Sequence, residues 1–343
     1  MSPTFKFRDN SRIKDFRSCP TLHYYSYKLG LKITAPQMPL IFGTSWHASM
    51  DSVYHNFNTI RESMFANDKN TTREQVAEAV HKIAFKAFCD SWEEQGMETG
   101  TVLGKSARNT IVASEVIYNY IIHNYHFLEQ HKVVSIERPF IIPINNNDSS
   151  RMYVGRVDKC VQNMYSGRYS YVEHKTTSQY STKFGIQPDT VDEYNINTQV
   201  EGYYLNGKSK YGEEFESVKL DFALVYNSRN DVFQRVDHRR NSAELDQFLK
   251  ETNYWWDRID EAEEKDFFPR NPGYCIHKYG RCNYFNICAK YPDHKKVHDL
   301  VKSDNATLSG FKIEFWEPFS FKQLEEILKD ETKQPEQPTQ EQQ

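Results

Sequence analysis

The sequence predicts an α/β fold in which a mixed β-sheet is flanked by helices. Two patterns of apolar residues along the 343-residue chain support this prediction. Over the first third, apolar side chains recur every three to four residues, as in amphipathic helices. From about Lys132 they alternate with polar ones and many are β-branched, which is typical of strands. A composition of 38% hydrophobic and 14% aromatic residues allows a substantial buried core.

The first third of the chain is expected to be helical. Helical spacing predicts helices over residues 46–57, 76–88 and 113–128. A polar loop precedes the second of these helices, and Thr71 or Thr72 in that loop is suited to cap it.

Strands and helices are predicted to follow. The strand candidates are residues 133–144, 151–162, 168–177 and 219–226. The Met-Tyr-Ser-Gly segment between the second and third candidates is typical of a hairpin turn. Two further helices are predicted over residues 192–205 and 243–265.

The chain is expected to divide into four parts. They are an N-terminal helical region at 1–131, a sheet core at 132–240, a C-terminal helix with a cysteine clasp at 241–292, and a tail at 293–343. The tail is predicted to be partly disordered because its last residues include very few apolar side chains.

Two carboxylates and a lysine mark a candidate site in the strand region. Glu173 and Lys175 are two residues apart, so on a strand both side chains project from one face. Asp158 lies on the preceding strand, and the register decides whether it meets Glu173. Clustered carboxylates repel, and a divalent cation offsets that repulsion. The pattern therefore favours metal-assisted hydrolysis, although an isolated Glu-x-Lys pair on an exposed strand is commonplace.

Four short motifs occur in a set order along the chain. They are GTSWH at 43–47, GRVD at 155–158, EHK at 173–175 and QVEGY at 199–203. This order resembles the RecB-like branch of the PD-(D/E)XK nucleases, which includes the AddB nuclease domain and the CRISPR-associated adaptation exonucleases. The resemblance implies a restriction-endonuclease-like sheet core. It also implies hydrolysis of DNA, by exonuclease action on single strands or DNA ends.

The resemblance also implies a role for individual residues. It assigns metal ligands to His47, Asp158 and Glu173, catalysis to Asp158, Glu173 and Lys175, and supporting roles to Gln199, Tyr203 and, by a weaker match, Glu137. The implied cofactor is Mg²⁺ or Mn²⁺. Considered singly, a histidine on an apolar helix stripe is more often a core or surface residue, and a Gln–Tyr pair at i,i+4 is an ordinary helix feature.

Four of the six cysteines predict a second metal centre. Cys275, Cys282 and Cys288 lie close together, and Cys19 stands far upstream. The branch takes one upstream and three downstream cysteines for an iron–sulfur cluster, so a [4Fe–4S] cluster is expected to clasp the two ends together. Zinc and unliganded structural thiols are the alternatives, and His277 could replace one cysteine. The spacing from Cys275 to Cys282 is longer than the branch usually has.

Composition limits the class of protein and its partners. A formal net charge of −4 excludes a generally basic nucleic-acid coat, so any DNA contact must be local. The chain lacks a secretory signal or a membrane-spanning stretch, so it is expected in the cytoplasm of a bacterial host or phage-infected cell. DNA is the expected partner, in recombination, repair, or phage or mobile-element DNA processing.

No Walker motif is present, so a helicase or recombination partner would be a separate protein. The alternative to an enzyme is a non-catalytic DNA-binding or assembly subunit that retains the nuclease fold within a larger complex.

Overall fold

The computed structural model describes residues 5–100, 106–145, 148–277, 280–303, 308, 310–319 and 327. The helices are α1 Asn10–Ser18, α2 Pro20–His23, α3 Met38–Asn67, α4 Arg73–Glu94, α5 Thr110–His123, α6 Tyr125–Gln130, α7 Pro188–Asp192, α8 Thr198–Tyr211, α9 Ser242–Glu264, α10 Phe285–Lys290 and α11 His294–Lys302. A π-helix spans Tyr24–Lys28, and 3₁₀ turns span Gly212–Glu214 and Pro272–Tyr274. Among the described residues, no helix is both long and apolar enough to cross a membrane.

Strands alternate with these helices along the chain. They are β1 Lys6–Asp9, β2 Leu31–Ile33, β3 His131–Pro143, β4 Arg151–Asn163, β5 Tyr169–Thr177, β6 Tyr180–Ser181, β7 Gly185–Ile186, β8 Phe215–Leu224, β9 Phe233–His238, β10 Ile276–His277, β11 Gly280–Arg281 and β12 Phe311–Ile313. The predicted mixed α/β class is therefore confirmed.

The chain forms two compact units built from interleaved segments. Unit 1 comprises Met1–Ala35, Pro139–Gly155 and Gln247–Gln343, and unit 2 comprises Pro36–Arg138 and Arg156–Asp246. The linear division into four parts remains a prediction. The last residues of the tail, where disorder is predicted, lie outside the described residues, whereas its first part includes α11 and β12.

The sheet of unit 2 is mixed, as predicted. β4 pairs antiparallel with β5, β5 pairs parallel with β8, and β8 pairs antiparallel with β9. The hairpin between β4 and β5 turns at Gly167, whose φ of 72° is a conformation that glycine adopts without strain. The paired register ends with Lys159 opposite Val172. Asp158 and Glu173 therefore come next on their two strands, at the same end of the hairpin.

Helices α3, α4 and α5 form the apolar core of unit 2. Trp46, Phe88 and Tyr120 are buried there, and Val161 and Val172 of the sheet join the same cluster. The helix α4 begins with a capping box, in which the Thr72 side chain accepts from the backbone of Gln75 and the Gln75 side chain accepts from the backbone of Thr72. The predicted cap at this loop is thus Thr72.

The structure corrects several predicted boundaries. The helix predicted over 113–128 is two helices that meet at Asn124, whose side chain donates to the Tyr120 carbonyl and accepts from Arg235. The helix predicted over 192–205 begins only at Thr198, because the Asn197 side chain caps it there. Strands β1 and β9 were not predicted.

Unit 1 combines strands from the two ends of the chain with α9. β1 pairs in parallel with the first residues of β4, and β2 pairs antiparallel with β12. Helix α9 buries Phe248, Trp256 and Ile259. Arg8 of β1 is also buried, and it donates to the Trp256 carbonyl at 3.1 Å and to Asp260 at 2.8 Å. A buried guanidinium with several acceptors satisfies the requirement that buried charges be paired.

Candidate active site

Five elements of unit 2 carry the predicted site residues. They are α3 with His47, β3 with Glu137, β4 with Asp158, β5 with Glu173 and Lys175, and α8 with Gln199 and Tyr203. Strand alternation places Glu173 and Lys175 together, and helical spacing places Gln199 and Tyr203 together. All seven residues thus belong to a single compact unit.

One histidine and two carboxylates converge closely. Nδ1 of His47 lies 3.1 Å from Oδ2 of Asp158. Potential ligand atoms of His47, Asp158 and Glu137 all lie within 4.8 Å of one another. Glu137 has a φ of 49°, which a residue with a side chain rarely adopts, and such strain is often found at functional sites. Glu137, to which the motifs assign only a supporting role, therefore lies among the candidate metal ligands.

A hydrogen-bond network joins β5 to α8. Lys175 Nζ lies 2.6 Å from Oε1 of Glu173 and 3.2 Å from Oε1 of Gln199. Gln199 Nε2 donates to Glu173 Oε1 and to the Tyr203 hydroxyl, each at 3.0 Å. The Tyr203 hydroxyl donates in turn to the carbonyl of Arg156 at 2.6 Å. The network fixes the positions of the lysine and the carboxylate.

Burial and like charge shift the pKa values of the site. Burial raises the pKa of Glu173, and the neighbouring Asp158 raises it further. Burial and then Asp158 also raise the pKa of Glu137 to about 7. Burial opposes ionisation of Asp158 too, but His47 outweighs it, so the pKa of Asp158 lies below its usual value. Because these carboxyls interact, the pKa values at which they titrate belong to the group of carboxyls and not to one residue.

These residues fit a divalent metal ion. Oε2 of Glu173 is buried and has no hydrogen-bond partner among the described residues. Carboxylate oxygens are the preferred ligands of Mg²⁺ and Mn²⁺, and neutral imidazole is suitable for Mn²⁺. A cation among His47, Asp158, Glu137 and Glu173 would offset the burial and the like-charge repulsion that raise the pKa values of the two glutamates.

Other residues near the site were not predicted. Lys159 has a fully buried side chain, and its Nζ lies 2.8 Å from Oδ1 of Asp51. The Tyr194 ring lies 5.7 Å from Lys175 Nζ. Lys159 shares one face of β4 with Val157 and Val161, and a charged residue between two apolar residues on one strand face was the signal that the sequence offered for it. His174, between Glu173 and Lys175 on β5, faces the opposite side of the sheet and packs against the buried rings of Tyr54 and Tyr120.

The four cysteines predicted to bind metal all belong to unit 1. Cys19 is buried, and Cys275, Cys282 and Cys288 are half-buried. The backbone N–H of Cys282 donates to the Cys275 carbonyl at 2.9 Å, and that of Asn271 donates to Cys19 Sγ at 3.4 Å. Burial raises the pKa of Cys288 to about 11, and the other three cysteines add to this increase. Among the described residues, the four sulfurs form no group as compact as that of His47, Glu137 and Asp158.

Carboxylates and a lysine brought together in this way are suited to metal-assisted hydrolysis of phosphodiester bonds. Residues 10–289 match the PD-(D/E)XK nuclease superfamily, and the chain belongs to that superfamily. Its members are hydrolytic nucleases that use divalent metals.

The other comparisons with known proteins add little to the family assignment. No curated protein matches the chain. A similar solved structure is that of a candidate exonuclease from Eubacterium rectale, which is 13% identical. The likeness covers 65% of this chain and 75% of that chain, with a TM-score of 0.38. The family assignment therefore rests on the superfamily match.

Proposed function

We propose that the protein is a metal-dependent deoxyribonuclease of the RecB-like branch. It acts as an exonuclease on single-stranded DNA or DNA ends, in recombination, repair or the processing of phage or mobile-element DNA. The observation that carries this proposal is the convergence of His47, Asp158 and Glu137, next to the paired Glu173 and Lys175. Carboxylates that resist ionising together have a physical reason to be buried together when a cation joins them.

The proposed metal ligands are His47, Asp158 and Glu173, with Glu137 as a further acidic neighbour. When bound, Mg²⁺ or Mn²⁺ supplies a Lewis acid that activates water and neutralises charge on the phosphate. These residues would hold the cation at the end of the β4–β5 hairpin, where Asp158 and Glu173 lie. His47 must give up its proton to bind it, because only neutral imidazole is a ligand.

Lys175 acts as a fixed cation in this proposal. Burial lowers its pKa, but the adjacent Glu173 outweighs burial and the net pKa is raised. The side chain therefore stays an ammonium and stabilises negative charge on the phosphate, which favours this role over that of a general base. Gln199 holds both groups, and Tyr203 ties Gln199 to the backbone of β4.

The second part of the proposal is a [4Fe–4S] cluster bound by Cys19, Cys275, Cys282 and Cys288, with zinc as the alternative. All four thiols lie in unit 1. The raised pKa of Cys288 includes contributions from the other three, and that of Cys282 includes contributions from Cys19 and Cys275. Electrostatic coupling of this kind requires that the thiols be close, and an iron cluster favours their ionised form. The cytoplasm, which keeps thiols reduced, is the compartment that suits them.

Cleavage of end-labelled DNA tests the nuclease proposal. Single- and double-stranded DNA would be incubated with Mn²⁺, Mg²⁺ or EDTA, with Lys175→Ala and Glu173→Ala beside the wild type. We expect cleavage that requires metal and is lost in both variants. Lys86→Ala is the matched control, because Lys86 forms an exposed ion pair with Asp90 on α4. DNA binding without cleavage under every metal would instead favour an assembly subunit, in a complex with a helicase or recombination protein.

Visible absorbance and metal content test the cluster. Protein purified without oxygen should absorb broadly near ~400 nm and contain iron, because thiolate-bound iron–sulfur centres do so. Cys282→Ala should lose both signals. A colourless protein that contains zinc would remove the cluster from the proposal and leave the nuclease in place.

A further inference from the structure

A second pair of charges joins the two elements that carry the candidate metal ligands. Asp51 lies one helical turn after His47 on α3, and Lys159 directly follows Asp158 on β4. Nζ of Lys159 lies 2.8 Å from Oδ1 of Asp51, and Nδ1 of His47 lies 3.1 Å from Oδ2 of Asp158. Helix α3 and strand β4 are thus connected by two polar contacts, one next to the other.

The ammonium of Lys159 forms an ion pair with α3, and among the described residues its Nζ has no hydrogen-bond partner. The side chain of Lys159 has no exposed surface, while that of Asp51 is 26% exposed. The ring of Tyr54, also on α3, lies 5.6 Å from Nζ. A fully buried charge is costly, and an apolar pair of similar volume is often at least as stable. Stability alone therefore does not account for a lysine at this position, whereas a role at the adjacent site does.

We propose that Asp51 and Lys159 form a positioning pair that holds α3 against β4, so that His47 and Asp158 can bind the same divalent cation. This inference rests on the proposed metal site. The pair contacts neither the cation nor DNA, so its loss weakens metal binding and leaves the chemical step intact once the site is saturated. Outer residues that orient metal ligands act in this way.

Calorimetric titration with Mn²⁺ of protein freed of divalent cations tests the Asp51–Lys159 pair directly. Lys159→Met retains a long side chain without the charge, and Asp51→Asn retains the shape of its partner. We expect each variant to bind Mn²⁺ about 10–100-fold more weakly than the wild type. The double variant should be no weaker than the weaker single variant, because both residues act through one contact.

Two controls separate positioning from general destabilisation. Lys159→Arg keeps the cation and should recover most of the Mn²⁺ affinity, and Lys86→Met, in an exposed ion pair, should not change it. In DNA cleavage, the Mn²⁺ concentration for half-maximal rate should rise in Lys159→Met while kcat at saturating Mn²⁺ stays near the wild-type value. If Lys159→Met does not fold, Asp51→Asn and Lys159→Arg still test the pair.

The outcomes distinguish this inference from the proposed function. Mn²⁺ affinity equal to wild type in Lys159→Met and Asp51→Asn would overturn the positioning role and leave the nuclease proposal standing. Weaker Mn²⁺ binding in the variants of a protein that cleaves no DNA would support the pair and contradict the nuclease. A wild type that binds no Mn²⁺ would overturn both.

Discussion

The hydroxyl of Tyr203 connects α8 to the backbone of β4. It donates to the carbonyl of Arg156 at 2.6 Å and accepts from Gln199 Nε2 at 3.0 Å. Through Gln199, this contact extends to the carboxylate of Glu173 and the ammonium of Lys175. One oxygen atom therefore contributes to the orientation of two groups that it does not touch.

Tyr203→Phe should lower nuclease activity without unfolding the protein. We expect about tenfold lower kcat, because the Gln199 amide loses its anchor, and a stability loss of about 1 kcal/mol from the missing hydrogen bonds. Tyr204→Phe is the matched control, since Tyr204 is also buried on α8 and packs against Phe215. An unchanged kcat in Tyr203→Phe would contradict the positioning role.

His23 makes unit 1 sensitive to acid. Burial, with smaller contributions from Arg12 and Arg8, lowers the pKa of His23 to about 3. The unfolded chain, in which the histidine has its ordinary pKa of about 6.5, binds the proton more readily than the folded protein. The contribution of neutral His23 is therefore fully present above pH 6.5 and is lost as the pH falls toward 3, by up to about 1.4 kcal/mol per pH unit.

Urea denaturation at pH 7, 6 and 5 would measure this effect. His23→Gln, which can still donate to the Arg12 carbonyl that His23 Nδ1 contacts, should lose less stability than the wild type over this range. His126→Gln replaces a side chain that is 61% exposed and should behave like the wild type. Parallel losses in all three proteins would assign the acid sensitivity to other groups.

Sequence reasoning identified most residues of the candidate site, but not their arrangement. The order of the four motifs can be read from one sequence, and it identified His47, Asp158, Glu173 and Lys175. Glu137 lies among the candidate ligands with a backbone φ of 49°, a conformation that no periodicity reveals. Lys159 was not predicted, because strand alternation shows which face of the sheet a side chain lies on but not which residue of another element it contacts.

Helix α8 approaches β8 closely, and a glycine permits this. A Cβ atom added at Gly207 would lie 2.2 Å from the ring of Phe215. The opposite case occurs in α3, where a Cβ at Gly43 would meet nothing within 4 Å. The two glycines share a helical setting and differ in the space beside them.

Alanine at these positions should therefore have opposite effects. Gly207→Ala should destabilise the protein by about 1–3 kcal/mol, because the ring of Phe215 must move. Gly43→Ala should stabilise it by about 0.5–1 kcal/mol, because alanine restricts the unfolded chain more than glycine does. Denaturant midpoints would measure both changes. If both substitutions destabilised the protein, helix propensity and the space beside each glycine would not explain the change in stability.

Elements with a strong period were located from the sequence, although α3 extends well beyond the predicted 46–57, and short elements were not predicted. Helix α9 begins and ends within one residue of its predicted limits. The four residues of β1 are too few to show a period, and β1 pairs with β4 far along the chain. The parallel pairing of β5 with β8 also depends on the crossover between them, which sequence patterns do not specify.

At the scale of the whole molecule, charge is a weak guide to function. The net charge of −4 gives no general attraction for DNA. In the proposed nuclease, affinity for DNA would come from bound cations and local contacts, because the acidic cluster in unit 2 repels a polyanion when no cation is bound. The superfamily match agrees with the motifs, whereas overall composition could only exclude classes.

The interleaving of the two units has a consequence during synthesis on the ribosome. The segment Met1–Ala35 emerges first, but its unit also needs Gln247–Gln343, roughly 200 residues later. At ~5–20 residues per second this delay is about 10–40 s. Meanwhile the aromatic side chains of that segment, together with the thiol of Cys19, lack their final neighbours. Unit 2, complete by Asp246, is therefore expected to fold before unit 1, and Met1–Ala35 stays accessible to chaperones in the meantime.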